Sequence, residues 1–354
     1  MNNKNIKISG RSIGRGMPSF IIAEIAQAHD GSLGFAHSYI DAVASTGADA
    51  IKFQTHIASA ESTKDEPFRV NFSYQDSNRY DYWKRMEFTF EQWEGLAEHC
   101  RELGLMFLSS AFSVEAVELL DKLNMPAWKV GSGEVNNPLI LSAMMETNKP
   151  LLLSSGMSGW DEINKAVETI IDNEKPLALF QCTSKYPTAL QDVGLNVLSE
   201  MKHRFDIPIG LSDHSGSIYP SLAALGQGVE LLEVHVVHSK KMFGPDTKSS
   251  ITIEELAMLC EARNAFYEME SNPVDKDKMS IELHSLRKLF NKSVALKDSF
   301  PAGTILEKSM LTTKKPGTGI PAEKIEECIG KELKTDKTVD SVLDWKDMGL
   351  IDGK

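Results

Sequence analysis

Residues 20–54 read FIIAEIAQAHDGSLGFAHSYIDAVASTGADAIKFQ and hold one complete strand–helix–strand unit. FIIAEI (20–25) and AIKFQ (50–54) are apolar runs of strand length, while Ala36, Tyr39, Ile40 and Val43 between them fall on one helical face. The alternation continues to about residue 270. Six further runs follow: LMFLSS (105–110), WKVGS (128–132), LLLSS (151–155), LALFQ (177–181), IGLSD (209–213) and LLEVHVV (231–237). Trp93, Leu96, Ala97, Cys100 and Leu103 share a second helical face, closed by Gly104 where a left-handed cap favours glycine. Thr252 and Glu255 form a capping-box pair that opens a last helix running to about Met269. Eight strands that are apolar throughout and alternate with helices predict an α/β fold of the (β/α)8 TIM-barrel type. An open doubly wound sheet is the alternative, and the lack of a Gly-rich phosphate fingerprint after the first run weighs against it.

Outward from the barrel, the chain has 354 residues, more than one compact domain needs. After SNPVDKDKMS (271–280) the texture changes to short strand-like pieces and turns, which predicts a barrel over 1–270, a linker over 271–282 and a small domain over 283–354. From Ser280 onward 13 basic side chains meet 12 acidic ones, a net of +1, so of the overall −12 the first part carries −13. Such an acidic balance speaks against nucleic acid or an anionic membrane as partner. The polar start MNNKNIKISGRS and the absence of a long apolar run predict a soluble, cytoplasmic protein. Cys100, Cys182, Cys260 and Cys328 lie far apart, as reduced thiols would. Residues 57–89 are polar and aromatic with little periodicity, and predict a substrate-covering loop.

Barrel enzymes of this type place their chemistry at the C-terminal ends of the strands. That layer holds Glu24, Lys52, Gln54, Ser110, Lys129, Ser132, Glu134, Ser154, Tyr186, Ser212, His214, Glu233 and His235. Lys52 and Lys129 interrupt apolar strands, and a buried ammonium needs an anion. Either a core carboxylate such as Glu24 or Glu134 neutralises each lysine, or the two lysines with Ser132, Ser154 and Ser212 cradle a phosphate and a carboxylate. His214 and His235 stand at the mouths of adjacent strands and, with Glu24 or Glu233, form a candidate site for one divalent cation. Neutral core histidines are the competing reading, since no HxH or HExxH spacing forces a metal. His37, His99, His203 and His284 fall in helices or near the linker. Cys182 reads as a buried structural thiol.

AEIAQAHDG, IKFQTH, KVGSGE, LLSSGM, QCTSKYPT, GLSDHSG and GPD occur in this order, and together they resemble the sialic acid synthase (N-acetylneuraminate synthase) family. LTTKKPGTGIPAEKIEECIGK resembles that family's antifreeze-like (SAF) domain. The resemblance implies a barrel with a C-terminal domain, assembled as a domain-swapped homodimer. It further implies a reaction of phosphoenolpyruvate with an N-acetylmannosamine-type amino sugar, assisted by Mn2+ or Mg2+. By the same resemblance Lys52, Ser110, Lys129, Ser132, Ser154 and Ser212 bind phosphoenolpyruvate, and His214 and His235 bind the metal. Gln54, Tyr186 and Asp246 would contact the sugar, while Glu24, Glu134 and Lys52 form the catalytic set. The chain departs from the family pattern at Gln27 (for Asn), Ser110 (for Thr), the valines beside His235, and Lys315. Lys315 stands where an arginine reaches the sugar's N-acetyl group. Legionaminic- or pseudaminic-type acceptors therefore stay open. Two other readings are a shorter-chain keto-acid synthase, disfavoured by the C-terminal domain, and a decayed sugar-binding barrel, disfavoured by the complete Glu24, Lys52, Lys129, His214 and His235 set.

Overall fold

The computed structural model describes residues 5–351. All eight apolar runs are parallel strands: Phe20–Ala26 (β3), Ala50–Thr55 (β4), Met106–Ala111 (β5), Trp128–Val130 (β6), Leu151–Ser154 (β7), Leu177–Cys182 (β8), Ile209–Asp213 (β9) and Leu231–Val237 (β10). Because β10 pairs with both β9 and β3, the sheet closes on itself as a TIM-type barrel. Its strands are buried on both faces, by helices outside and by one another's side chains inside. Burial of each large apolar side chain contributes roughly 1.5–3 kcal/mol relative to exposure. The helices follow the predicted faces: Leu33–Ala44 buries Ala36, Tyr39, Ile40 and Val43, and Phe90–Glu102 buries Trp93, Leu96, Ala97 and Cys100. Leu103, placed on that face from the sequence, is exposed because it lies past the helix end. The capping box at Thr252 and Glu255 is formed in both directions, and its helix runs to Ser271.

Two elements differ from the sequence reading. The polar start forms an antiparallel hairpin, Asn5–Ile8 (β1) with Arg11–Gly14 (β2), whose Ile6, Ile8 and Ile13 join the barrel core. At the same end Asp49 is held by Arg11, by Arg263 (2.8 Å) and by the Ile21 N–H (2.7 Å), which ties the last helix to the strand bottoms. Residues 57–89 are partly helical rather than a bare loop: Ala58–Glu61 and Arg79–Met86 are helices, the second capped by Asn78. Tyr82, Trp83 and Met86 point one face of that helix into a small aromatic core with Phe68, Phe72 and Tyr80.

The chain divides into two compact units, Met1–Ser271 and Asn272–Lys354. Within the segment read as a linker, Lys276–Glu282 is a helix capped by Asp275, followed by a helix at His284–Phe290. The second unit pairs Ser293–Leu296 antiparallel with Leu311–Lys314 over a core that includes Val294, Leu306, Leu333 and Leu343. Among the described residues no helix is long and apolar enough to cross a membrane.

Candidate active site

Strand periodicity decides which side chains meet inside the barrel. Along β4, Lys52 and Gln54 share a face, and along β10, Glu233 and His235 do, while the residues between them face the helices. Register then aligns Glu24 with both Lys52 and His235 across neighbouring strands, and Ser110 with Lys129. A bulge between Glu24 and Ala26, with Ala26 at φ 49°, offsets the β3–β4 register just beyond Glu24.

The result is a closed polar floor. Lys52 Nζ stands 2.5 Å from Glu24 Oε2 and donates to Ser110 Oγ at 3.0 Å. Lys129 Nζ donates to Ser154 Oγ and stands 3.3 Å from Glu233 Oε1. Glu233 reaches both lysines, with Oε2 3.9 Å from Lys52 Nζ, and accepts from Ser212 Oγ at 3.0 Å. Lys52 is thus neutralised by Glu24 as the sequence suggested, but the partner of Lys129 is Glu233 and not Glu134. Two ammonium groups face two carboxyl groups, so the charges of the floor largely offset one another. Burial pushes the Glu24 carboxyl up to about 7 against the pull of Lys52, with Glu233 adding to the rise. For Glu233 burial also works upward, yet Lys129 and Lys52 together bring it down to about 2. Oε2 of Glu24 and of Glu233 accepts no aligned hydrogen bond, an incompleteness that marks room for a further donor.

A cavity of about 450 Å3 opens above this floor. Gln54, Glu134, Tyr186, His235 and Asp246 line it, together with His56, Glu61, Arg69, Arg79, Trp83 and Phe112, which the sequence reading did not single out. His56 lies two residues beyond Gln54 in IKFQTH, so the strand alternation that selected Lys52 and Gln54 also points to it. Arg69, Arg79 and Trp83 come from the 57–89 segment, whose contacts carried no sequence signal. Glu134 accepts from Asn137 Nδ2 at 2.7 Å and is half-buried, which raises its carboxyl. Asp246 is raised by burial, with Arg69 3.6 Å away working against the rise. The Arg69 guanidinium also lies over the Tyr186 ring at 4.5 Å. Ser132 Oγ is 3.3 Å from Cys182 Sγ, a buried thiol whose pKa is raised by burial. A Cβ built on Gly156 would overlap Ser132, Ser184 and Cys182, so only glycine leaves this hydroxyl-lined niche open. Lys315 belongs to the second unit, where its ammonium lies over the Phe290 ring at 5.3 Å.

His214 and His235 stand with ring centroids 5.2 Å apart, and Tyr186 stacks on His214 at 4.2 Å. His214 Nδ1 donates to the Thr183 carbonyl at 2.9 Å, which leaves Nε2 with its lone pair, 3.3 Å from the Tyr186 hydroxyl. Burial pushes His214 down to about 4 and His235 well below its ordinary value, so both imidazoles are neutral. Two neutral imidazoles this close, His214 keeping a lone pair on Nε2, fit a divalent cation. Among the described residues no cluster of three His, Cys, Asp or Glu side chains is arranged for a metal. His238, just past the end of β10, is half-buried and stacked on Tyr39 at 4.2 Å, away from this pair.

A larger cleft of about 660 Å3 lies at the opposite end, between the turn after β2 and the last barrel helix. It touches none of the strand-end set, and its Lys202 ammonium is taken up by the carbonyls of Gln227 and Gly228.

Comparison with known proteins bears on the family and the fold. The NeuB family model matches residues 39–274 and the SAF domain model matches residues 291–348. The chain is 35% identical over 331 residues to the N-acetylneuraminate-9-phosphate synthase of Homo sapiens, covering 92% of this chain and 91% of that one. It is 31% identical over 319 residues to the N,N'-diacetyllegionaminic acid synthase of Campylobacter jejuni, covering 88% and 95%. The solved structure of N-acetylneuraminic acid synthetase from Leptospira borgpetersenii superposes with a TM-score of 0.70 at 27% identity, over 80% of this chain and 98% of that one. These relatives are nonulosonic acid synthases named for different acids. A closed barrel with this strand-end set, followed by a SAF domain, places the chain in the NeuB family of sialic acid synthases.

Proposed function

We propose that the protein condenses phosphoenolpyruvate with the open-chain aldehyde of an N-acetylmannosamine-type sugar, giving a nonulosonic acid and inorganic phosphate. The observation that carries this reading is the paired floor of Lys52, Lys129, Glu24 and Glu233, ringed by Ser110, Ser154 and Ser212 beneath a sugar-sized cavity. The lysines and hydroxyls bind the phosphate and carboxylate of phosphoenolpyruvate and fix its C3 toward the cavity. C3 attacks the aldehyde carbon, whose oxygen becomes an alkoxide, and the enol electrons leave an oxocarbenium at C2. Of the two protons of the water that adds next, one completes the hydroxyl on that oxygen and the other leaves with phosphate. Water adds at C2, and the bond from C2 to the bridging oxygen breaks, so that oxygen departs with phosphate. Glu134, raised by burial and facing the cavity, takes the proton from the water, while Glu24 sits on the floor beside the reacting carbons. His214 and His235 would hold Mn2+ or Mg2+, which as a Lewis acid would polarise the aldehyde oxygen.

The cavity's charge favours an unphosphorylated acceptor. Its lining carries four carboxylates, Glu61, Glu66, Glu134 and Asp246, against two guanidinium groups. Both cations are already paired, Arg79 with Glu66 at 3.0 Å and Arg69 with Asp246 at 3.6 Å. A sugar phosphate would enter a wall without a free cation. With Mn2+ and phosphoenolpyruvate, phosphate release is expected with N-acetylmannosamine or a diacetamido relative. For the 6-phosphate, kcat/KM should be lower by about ten-fold or more, the equivalent of roughly 1.4 kcal/mol. A preference for the 6-phosphate would overturn the acceptor assignment, and no release across the panel from folded protein would overturn the condensation itself.

A further inference from the structure

Residues 62–78 form a strap between the helices Ala58–Glu61 and Arg79–Met86, and both of its ends are held. Arg79 donates its N–H to the Glu66 carbonyl and keeps its guanidinium beside the Glu66 carboxylate, each at 3.0 Å, while Arg85 holds Asp76 at 2.8 Å. Phe72 packs on Tyr82, with ring centroids 5.0 Å apart, and on Phe243 of the stretch after β10, at 5.8 Å. Since β4 pairs with neither β8 nor β10, the strap reaches across the barrel mouth.

On the strap, Arg69 meets two residues of the far side. Its guanidinium lies over the ring of Tyr186, beyond β8, at 4.5 Å, and Tyr186 in turn stacks on His214 at 4.2 Å. The carboxylate of Asp246, beyond β10, is 3.6 Å away, too far for an aligned hydrogen bond. Charge is offset at that spacing, but no donor is used. Arg85, on the same excursion, spends its donors on Asp30 and Asp76, whereas among the described residues the Arg69 guanidinium makes no hydrogen bond. Its N–H groups are therefore free to donate, on a cation whose charge is already balanced.

What surrounds these donors selects the group they take. Phe68 and Val70, the neighbours of Arg69 along the strap, line the cavity together with Phe72, Met157 and Pro245. A phosphate or carboxylate seated on the guanidinium would meet Asp246 as a like charge beside it. A hydroxyl would accept from Arg69 but leave the apolar wall facing water. An acetamido group satisfies both, because its carbonyl oxygen accepts while its methyl covers apolar surface.

We propose that Arg69 is a specificity-determining residue: it donates to the acetamido carbonyl of the acceptor, whose methyl lies against the apolar side of the strap. The inference rests on the condensation proposed above for its kinetic readout, but not for its binding one. In Arg69→Ala, kcat/KM for N-acetylmannosamine should fall by about 10- to 100-fold through the sugar KM, the scale of one lost hydrogen bond to a charged group. For mannose, which has no acetamido group, the change should stay within about threefold, as should the KM for phosphoenolpyruvate, because neither uses the lost donor. Arg69→Lys keeps a cation beside Asp246 but gives up the planar fork, and should lose nearly as much as Arg69→Ala. Equal losses on both sugars would overturn the proposal, as would a loss confined to the phosphoenolpyruvate KM or an Arg69→Lys enzyme that reads N-acetylmannosamine as the wild type does. Independently, calorimetry with N-acetylmannosaminitol, which has no aldehyde to react, should show binding to the full chain that weakens by the same factor in Arg69→Ala. Equal binding to both proteins, or none to the wild type, would overturn the assignment. Wild-type protein that binds this alditol more tightly than Arg69→Ala does, yet turns over no sugar, would instead sink the condensation and leave the role of Arg69 standing.

Discussion

Lys52→Met should lose turnover by at least about a hundred-fold, the scale on which removal of one preorganised charge-stabilising donor acts, and should lose stability as well. The two losses have different origins. Turnover falls because Lys52 is one of two ammonium groups available to the anionic substrate, and a methionine of similar length offers it nothing. Stability falls because Glu24 and Glu233 then share the single charge of Lys129, and Lys52 no longer spans the 2.5 Å and 3.9 Å separations from them. Breaking a buried pair by removing one partner costs about 3–5 kcal/mol. The double variant Lys52→Met/Glu24→Gln removes the stranded charge as well. It should regain most of the thermal midpoint and none of the activity. Calorimetry and phosphate release on the two variants check this. A Lys52→Met enzyme with full turnover would remove the lysine cradle from the account.

His235→Ala should behave in the opposite manner, keeping the fold while losing the reaction. The imidazole is buried and neutral and takes part in none of the ion pairs of the floor, so its removal strands no charge. Its loss removes half of the protein's contribution to a cation site. If the cation supplies about 4 kcal/mol of transition-state stabilisation, turnover falls on the order of a thousand-fold. Mn2+ binding followed by electron paramagnetic resonance should weaken in parallel, in both His235→Ala and His214→Ala. His37→Ala serves as the control, since His37 lies in a barrel helix and bonds His99 rather than facing the cavity. Unchanged Mn2+ binding in His235→Ala would refute the metal role.

How much of this was legible beforehand depends on the range of the interaction that decides it. Local period placed all eight strands, since a parallel barrel strand buried on both faces has no polar interruptions except where function puts them. The same period marked Lys52, Gln54 and Lys129 as interruptions. It pointed equally to His56, which is the next inward position on β4, but a histidine at a strand end carries no meaning until its partners are known. Those partners, Trp83 and Phe112 stacked on its ring, come from an aromatic-rich excursion and from beyond β5. Glu233 was visible as an inward carboxylate on β10, yet its reach to both lysines depends on barrel closure, which sequence adjacency does not encode. The helix at Arg79–Met86 was obscured by its charged exposed face, although Asn78 as a cap and Tyr82, Trp83 and Met86 as one apolar face were there to be read. The β1–β2 hairpin was likewise present as alternation around Ser9 and Gly10, hidden by the polar character of the chain start.

The central claim is that this floor and cavity join phosphoenolpyruvate to a sugar aldehyde with cleavage of the C–O bond. Phosphoenolpyruvate carrying 18O in its bridging position, incubated with the protein, Mn2+ and N-acetylmannosamine or its diacetamido relatives, tests it most directly. Mass spectrometry should find a nine-carbon 2-keto acid, and the released phosphate should contain the 18O. Phosphate without the label, or folded protein that yields no nine-carbon acid from any of these sugars, would contradict the account.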